Sequence, residues 1–133
     1  MASLNIASLV SHIDELRIWI EDQNLDLLAI NETRLDSLIT DDQVCLKGYD
    51  IIRLDRNRNG GGVAIYIRTS SNYINRSDLL PDNIEAICID IQKYKSKPFS
   101  AIACYRPPNF NPEAFYTSLQ SVVEKIDYNC KEL

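Results

Sequence analysis

Residues 25–33, Leu-Asp-Leu-Leu-Ala-Ile-Asn-Glu-Thr, form a short and nearly continuous apolar run that ends in polar residues. A run of this length that is apolar on both faces is typical of a central strand in a sheet with a layer on either side. Upstream, Ile13, Leu16 and Ile20 recur at helical spacing, and residues 4–6 suit a short strand. The sequence therefore predicts a β-α-β unit, with Ser11 as the N-cap of its helix.

Two β-hairpins are predicted downstream of this unit. Strand candidates at residues 49–54 and 63–67 flank a turn that contains an Asn-Gly step, and candidates at 84–91 and 99–105 flank a polar stretch at 93–98. The order of elements predicts an α/β fold in a single piece, residues 1–133, without an internal boundary.

A second helix is predicted after the hairpins. Asn111 can cap a helix that starts at Pro112, and Phe110 can pack against Phe115 across the cap. The helical face that should be buried consists of Phe115, Leu119, Val122, Val123 and Ile126.

Length and charge limit the functions open to the chain. At 133 residues it is one domain or part of one. The net charge of −5 disfavours broad electrostatic capture of nucleic acid, and the one basic run comprises Arg53, Arg56 and Arg58, with Arg68 after it.

No apolar run approaches the roughly 18 residues of a membrane-spanning helix, and the N-terminus lacks the features of a secretion signal. We therefore expect an intracellular protein of the nucleus or cytoplasm, not secreted and without a membrane partner.

Glu32 is the residue whose position points to chemistry. It directly follows the apolar strand, and ligand-binding groups gather at the carboxyl ends of strands in open α/β sheets. Glu32 is therefore a candidate metal ligand, and Asn5, near the first strand, is a weaker one. The alternative for Glu32 is a solvated or paired carboxylate. The single histidine, His12, lies inside the first predicted helix, where packing is the expected role.

Each of four sequence blocks is a weak signal by itself, but the four together, in this order along the chain, are specific to one protein family. They are Leu-Asn-Ile-Ala-Ser-Leu at 4–9, Leu-Leu-Ala-Ile-Asn-Glu-Thr-Arg-Leu at 27–35, Gly-Gly-Gly-Val-Ala-Ile-Tyr-Ile at 60–67 and Tyr-Arg-Pro-Pro at 105–108. With these blocks the chain resembles the endonuclease/exonuclease/phosphatase domain, of the apurinic/apyrimidinic-endonuclease-like type, of non-LTR retrotransposon polyproteins. The resemblance covers essentially all 133 residues.

The resemblance implies a metal-dependent phosphodiesterase that uses Mg²⁺ or Mn²⁺ to nick DNA, leaving a 3′-hydroxyl from which a reverse transcriptase primes. Asn5 and Glu32 match the family's metal-binding asparagine and glutamate. Tyr105 matches the catalytic tyrosine near the scissile phosphate. Without the resemblance, Tyr105 would be interpreted as an aromatic residue at a strand end that packs at the edge of the sheet. Arg106 is suited to bind a substrate phosphate, and a solvated or ion-paired arginine is the alternative.

The resemblance also implies a deoxyribonuclease-I-like fold, a four-layer α/β-β/α sandwich with a mixed sheet and two main helices. This chain would supply its N-terminal part and mainly one of the two sheets. Two sets of residues each share one strand face and need a covering layer: Val63, Ile65 and Ile67, and Ile87, Ile89 and Ile91. Since two helices can cover only one side of a sheet, we expect an uncovered sheet face and self-association through it.

Two later motifs of the family, Gly-Asp-x-Asn and Ser-Asp-His, do not occur in the sequence. They carry the acid/base pair, and such catalysis is commonly worth roughly 10²–10⁴ in rate. The expected function is therefore that of a partial endonuclease domain, residues 1–133, which is inactive as an isolated chain. Two alternatives stay open: a non-catalytic truncated remnant with a binding role or no role, and a phosphatase of the same superfamily.

Overall fold

The computed structural model of the chain describes residues 1–92 and 97–131, and within these ranges seven strands and two α-helices are formed. The strands are β1 (Ala2–Asn5), β2 (Leu27–Asn31), β3 (Tyr49–Leu54), β4 (Val63–Arg68), β5 (Asn72–Asn75), β6 (Glu85–Gln92) and β7 (Phe99–Tyr105). The helices are α1 (Leu9–Glu21) and α2 (Pro112–Lys131), and short 3₁₀ turns lie at Asp41–Val44 and Ser77–Leu79. The predicted α/β class is confirmed.

The first sheet has the strand order β1-β2-β4-β3. β1 and β2 are parallel and joined by α1, whereas β4 is antiparallel to both β2 and β3. The β-α-β unit and the central position of β2 are therefore confirmed, and so is a mixed sheet. The predicted cap Ser11 is wrong, because α1 begins at Leu9 and the Ser8 hydroxyl accepts the Ser11 N–H at 3.4 Å. The earlier start buries Leu9 completely.

The second sheet has the order β5-β6-β7 and is antiparallel throughout. The β6–β7 hairpin agrees with the prediction, although residues 93–96 of its polar connection lie outside the described residues. β5 was not predicted. It is a four-residue edge strand whose side chains are largely exposed, so it carries little of the alternation that marks a strand.

The two sheets pack face to face, and this arrangement corrects the expectation of an uncovered sheet face. Val63, Ile65 and Ile67 on β4 contact the cluster formed by Ile87, Ile89 and Ile91 on β6, and all six are at most 4% exposed. Each of the two apolar faces is thus the covering layer of the other. The expectation that the chain supplies mainly one sheet is also wrong, since both sheets form from these residues, and self-association through a bare face loses its basis.

The two helices cover the outer faces of the sandwich, one on each sheet. α1 buries Leu9, Ile13, Leu16 and Ile20 against the first sheet. α2 packs Phe115, Val122 and Ile126 against the second. The order of layers is therefore helix, sheet, sheet, helix, which confirms the predicted α/β-β/α sandwich.

The predicted start of α2 is confirmed in detail. The Asn111 side chain accepts the N–H groups of Glu113 at 2.8 Å and Ala114 at 3.3 Å, and the Phe110 and Phe115 rings meet edge to face at 6.2 Å. Val123 departs from the prediction because it is 43% exposed, one position beyond the stripe that faces the sheet. None of the described helices combines the length and apolar character needed to cross a membrane.

Candidate functional site

One rim of the sandwich collects the ends of strands from both sheets. β1, β2 and β3 end there with Asn5, Asn31 and Leu54, and β4 begins there with Val63. In the second sheet, the pairing of Glu85 with Tyr105 brings the start of β6 and the end of β7 to the same rim. Polar side chains that follow or precede buried strands are therefore concentrated at this edge, which we call the rim.

The backbone at the rim is strained, and hydrogen bonds join its loops. Among the described residues, positive φ angles at non-glycine positions occur at Ala7, Ser8, Glu32 and Arg34, all in the loops that follow β1 and β2. The Ser8 N–H donates to the Glu32 carbonyl at 3.0 Å, and the Thr33 N–H donates to the Gly62 carbonyl at 3.3 Å. Strained backbone that the surrounding structure holds in place is typical of functional sites, because it fixes the direction of a side chain.

Gly62 allows the loop before β4 to approach the loop after β2. Its φ is +89°, and a Cβ atom at this position would lie 2.4 Å from the Thr33 hydroxyl oxygen. Thr33 is fully buried, and within residues 1–92 and 97–131 its hydroxyl has no hydrogen-bond partner. The last glycine of the Gly60–Gly62 run is thus required by close packing at the rim as well as by the turn.

Glu32 and Tyr105 are in direct contact across the two sheets. The Tyr105 hydroxyl donates to Glu32 Oε1 at 2.9 Å, and Arg34 Nη2 lies 3.9 Å from Glu32 Oε2. The hydrogen bond to Glu32 raises the pKa of Tyr105, partial burial adds to the rise, and the charge of Arg56 opposes it. Tyr105 is therefore a neutral phenol at physiological pH, able to donate a hydrogen bond.

Asn5 lies at the same rim, on the strand next to β2. Its Cα is the register partner of Asn31, one residue before Glu32, in the neighbouring strand. In the described part of the chain no side-chain hydrogen bond joins Asn5 to Glu32 or Tyr105. Asn5 and His12 both line a groove of about 440 Å³ between β1 and α1.

Arg106 lies beyond the end of β7 and is engaged locally. Its Nη1 donates to the Phe110 carbonyl at 3.1 Å, which braces the loop between β7 and α2. The side chain is exposed. Its position next to Tyr105 in sequence keeps it near the rim, and its guanidinium donates to the loop.

Two residues of the rim were not predicted as part of a site. Glu85 accepts the Gly62 N–H at 3.1 Å and pairs with Arg56 Nη1 at 3.3 Å, while the Arg56 guanidinium lies 5.8 Å from the centre of the Tyr105 ring. The sequence held a signal for Glu85, because an antiparallel hairpin places the first residue of one strand opposite the last residue of the other. No comparable signal exists for Arg56, which lies in a turn.

The donors at the rim fit a hard divalent cation. Mg²⁺ is held by one or two carboxylates or amide oxygens, retained waters and substrate phosphate oxygens, and Glu32 with Asn5 offers such a set. Within the described ranges no group of three or more His, Cys, Asp or Glu side chains could hold a metal by itself. A metal held by the Glu32 carboxylate and the Asn5 amide oxygen would need water or substrate oxygens as its further ligands.

The model of the endonuclease/exonuclease/phosphatase family matches residues 2–128, nearly the whole sequence. The chain belongs to this family. Members of the endonuclease/exonuclease/phosphatase family generally depend on a divalent metal. A search of curated proteins found no match.

Among solved structures, this member of the endonuclease/exonuclease/phosphatase family is similar to the endonuclease domain of TRAS1, a telomere-specific non-LTR retrotransposon. The TM-score is 0.69 at 14% sequence identity, and the match covers 93% of this chain and 52% of the TRAS1 chain. At this identity the likeness shows the fold, and the chain spans about half the length of that domain. The roles of Asn5, Glu32, Tyr105 and Arg106 stay predictions.

Proposed function

We propose that this chain carries one side of the active site of a divalent-metal-dependent endonuclease that nicks DNA phosphodiesters for retrotransposition. The observation that carries the proposal is the 2.9 Å hydrogen bond from Tyr105 to Glu32, which joins an acidic group and a neutral phenol from two sheets at one strained rim. Family membership supports phosphodiester or phosphomonoester chemistry, and the likeness to a retrotransposon endonuclease domain supports DNA as the substrate.

In this proposal Glu32 and Asn5 hold Mg²⁺ or Mn²⁺. The metal, when bound, polarises a phosphate oxygen as a Lewis acid. Glu32 also fixes the Tyr105 hydroxyl through Oε1, while its second oxygen, Oε2, faces Arg34 at 3.9 Å. When substrate binds, the single O–H of Tyr105 turns from Glu32 to a phosphate oxygen, so the phenol acts as a hydrogen-bond donor and not as a base.

We further propose that these 133 residues do not turn over substrate by themselves. A general acid/base pair is needed to activate water and to protonate the leaving group. The one histidine of the sequence, His12, lies on α1, 45% exposed and 3.9 Å from Glu15. In this proposal His12 therefore packs on α1, and the acid/base pair is not supplied by the rim.

Paramagnetic Mn²⁺ tests the metal site directly. We expect Mn²⁺, titrated into isotope-labelled chain, to broaden first the amide signals of Ser8, Glu32 and Thr33, which share the rim. Glu32→Gln should abolish this selective broadening, because the substitution removes the charge of the side chain and keeps its size. Glu124→Gln on α2 is the matched control and should leave it unchanged. Broadening that is unaffected by Glu32→Gln, or spread over all acidic surfaces, would contradict the proposal and favour a non-catalytic remnant.

A further inference from the structure

Arg56 lies above the ring of Tyr105, on the loop between β3 and β4. Its guanidinium carbon is 5.8 Å from the ring centre, and its Nη1 is 3.3 Å from Glu85 Oε1. Tyr105 in turn donates to Glu32. A cation thus lies over the ring of the tyrosine whose hydroxyl the proposed function places against a phosphate.

The turn glycines hold Arg56 in this position. Arg56 Nε donates to the Gly60 carbonyl at 3.1 Å, and a Cβ atom on Gly61 would lie 2.4 Å from the same Nε. Glu85 faces the guanidinium from the second sheet and is itself fixed by the Gly62 N–H at 3.1 Å. Any side chain on Gly61 would displace the Arg56 side chain, so glycine at this position leaves the space that Arg56 occupies.

A comparison with Arg53 separates Arg56 from a structural arginine. The Arg53 side chain is 14% exposed and donates to the carbonyls of Ile39 and Asp36, as well as to two carboxylates. Arg56 is 37% exposed, its ion pair with Glu85 is partly solvated, and such pairs contribute little to stability. With five N–H donors on a guanidinium, Arg56 keeps donors for a further acceptor.

We propose that Arg56 is a phosphate-binding residue that contacts the nucleic-acid backbone next to Tyr105, and that Glu85 pairs with its guanidinium until phosphate replaces that contact. Guanidinium groups match phosphate oxygens in charge and in planar, two-point geometry. On binding, the guanidinium exchanges its contact with Glu85 for a phosphate oxygen and stays stacked over Tyr105. The inference rests on the proposed function, since it names a residue through which that site engages its substrate.

The test is the salt dependence of DNA binding by the full chain. A short fluorescein-labelled DNA duplex is titrated with protein in EDTA at several low salt concentrations, so that neither cleavage nor a metal contributes. Arg56→Gln should weaken binding about tenfold, the loss of one charge-assisted hydrogen bond. The slope of log affinity against log salt should become shallower by about 0.9, the contribution of one phosphate contact. A thermal melt shows that the variant is folded.

Arg68 provides a matched control at the other end of β4. Arg68 pairs with Asp26 at 3.6 Å and stacks over the Tyr49 ring at 5.2 Å, so it repeats the surroundings of Arg56 away from the rim. We expect Arg68→Gln to leave the salt slope of wild-type protein unchanged. Equal effects of Arg56→Gln and Arg68→Gln, or no DNA binding by wild-type chain at the lowest salt, would overturn the inference.

A second pair of variants tests whether Glu85 competes with phosphate for Arg56. Glu85→Gln keeps an oxygen for the Gly62 N–H and removes the carboxylate that competes with phosphate, so DNA binding should tighten. Asp26→Asn makes the same charge change beside Arg68 and should tighten binding less. A gain from Glu85→Gln that survives in the double variant with Arg56→Gln would contradict the role of Arg56.

The outcomes separate this inference from the function on which it rests. The Mn²⁺ experiment involves Glu32 and not Arg56. Focused Mn²⁺ broadening together with an unchanged salt slope in Arg56→Gln would leave the metal site standing and remove the role of Arg56. The reverse result would leave a phosphate-binding rim without the proposed metal chemistry.

Discussion

The Tyr105 hydroxyl and the Glu32 carboxylate, 73 residues apart in sequence, form a 2.9 Å hydrogen bond that joins the two sheets. A second bond between the sheets, from the Gly62 N–H to Glu85 at 3.1 Å, lies at the same rim. The geometry of the candidate site therefore depends on the packing of the sheets against each other.

The ionisation of Tyr105 should report its bond to Glu32. The bond raises the pKa of Tyr105 above the ordinary value of 10.0, because only the neutral phenol can donate. The stability that this bond contributes is fully present below the ordinary tyrosine pKa and is lost as the pH rises through the raised pKa. In an ultraviolet titration, the difference between wild type and Tyr105→Phe should appear above pH 10.0. Glu32→Gln should lower the pH at which Tyr105 ionises. Ionisation of Tyr105 at or below the ordinary tyrosine pKa in the wild-type protein would contradict the hydrogen bond to Glu32.

Truncation of the layer between the sheets should be costly. Ile89 is 0% exposed between β4 and β6, so Ile89→Ala should lower the free energy of unfolding by about 2–5 kcal/mol. Ile74 on β5 of the same sheet is 62% exposed, and Ile74→Ala should change it by less than about 0.5 kcal/mol. Denaturant unfolding of both variants gives the comparison. Similar losses would mean that the sheets do not close on each other.

Gly62 should tolerate a methyl group less well than Gly48. Both have positive φ, +89° and +84°, so Ala at either position carries the same backbone strain, roughly 1 kcal/mol or more. Only at Gly62 does the Cβ meet the Thr33 hydroxyl, at 2.4 Å, whereas nothing lies within 4 Å at Gly48. Melting curves of Gly62→Ala and Gly48→Ala measure the difference, and equal destabilisation would argue against close packing of the two loops.

The isolated chain should not nick DNA through Glu32. We expect supercoiled plasmid incubated with the chain in Mg²⁺ to relax no faster than with the Glu32→Ala variant, because the Gly-Asp-x-Asn and Ser-Asp-His motifs do not occur in the sequence. The measurement is the rate of open-circle formation on a gel. Nicking that depends on Glu32 would refute the proposed inactivity and strengthen the endonuclease assignment.

The sequence alone determined most of the local structure. Strong local patterns predicted the β-α-β unit, the bounds of β3 and β7 and the capped start of α2 at Asn111, since these depend on residues close together in the chain. Where the pattern was weak, the prediction failed. β5 has four residues and an exposed face, and the start of α1 was moved to Leu9 by burial against the sheet.

Only the tertiary structure decided how these elements face one another. Alternation along β4 and β6 showed two apolar faces, but nothing local in either strand shows that Ile65 meets the face of Ile89 rather than solvent or another chain. The same holds for the site. Glu32 was identified from its place after a buried strand and from the resemblance, and Tyr105 from the resemblance alone. Glu85 and Arg56 acquired their positions from the contact between sheets. Hydrogen bonds and packing between residues far apart in sequence depend on three-dimensional proximity, which a periodic pattern along the chain does not encode.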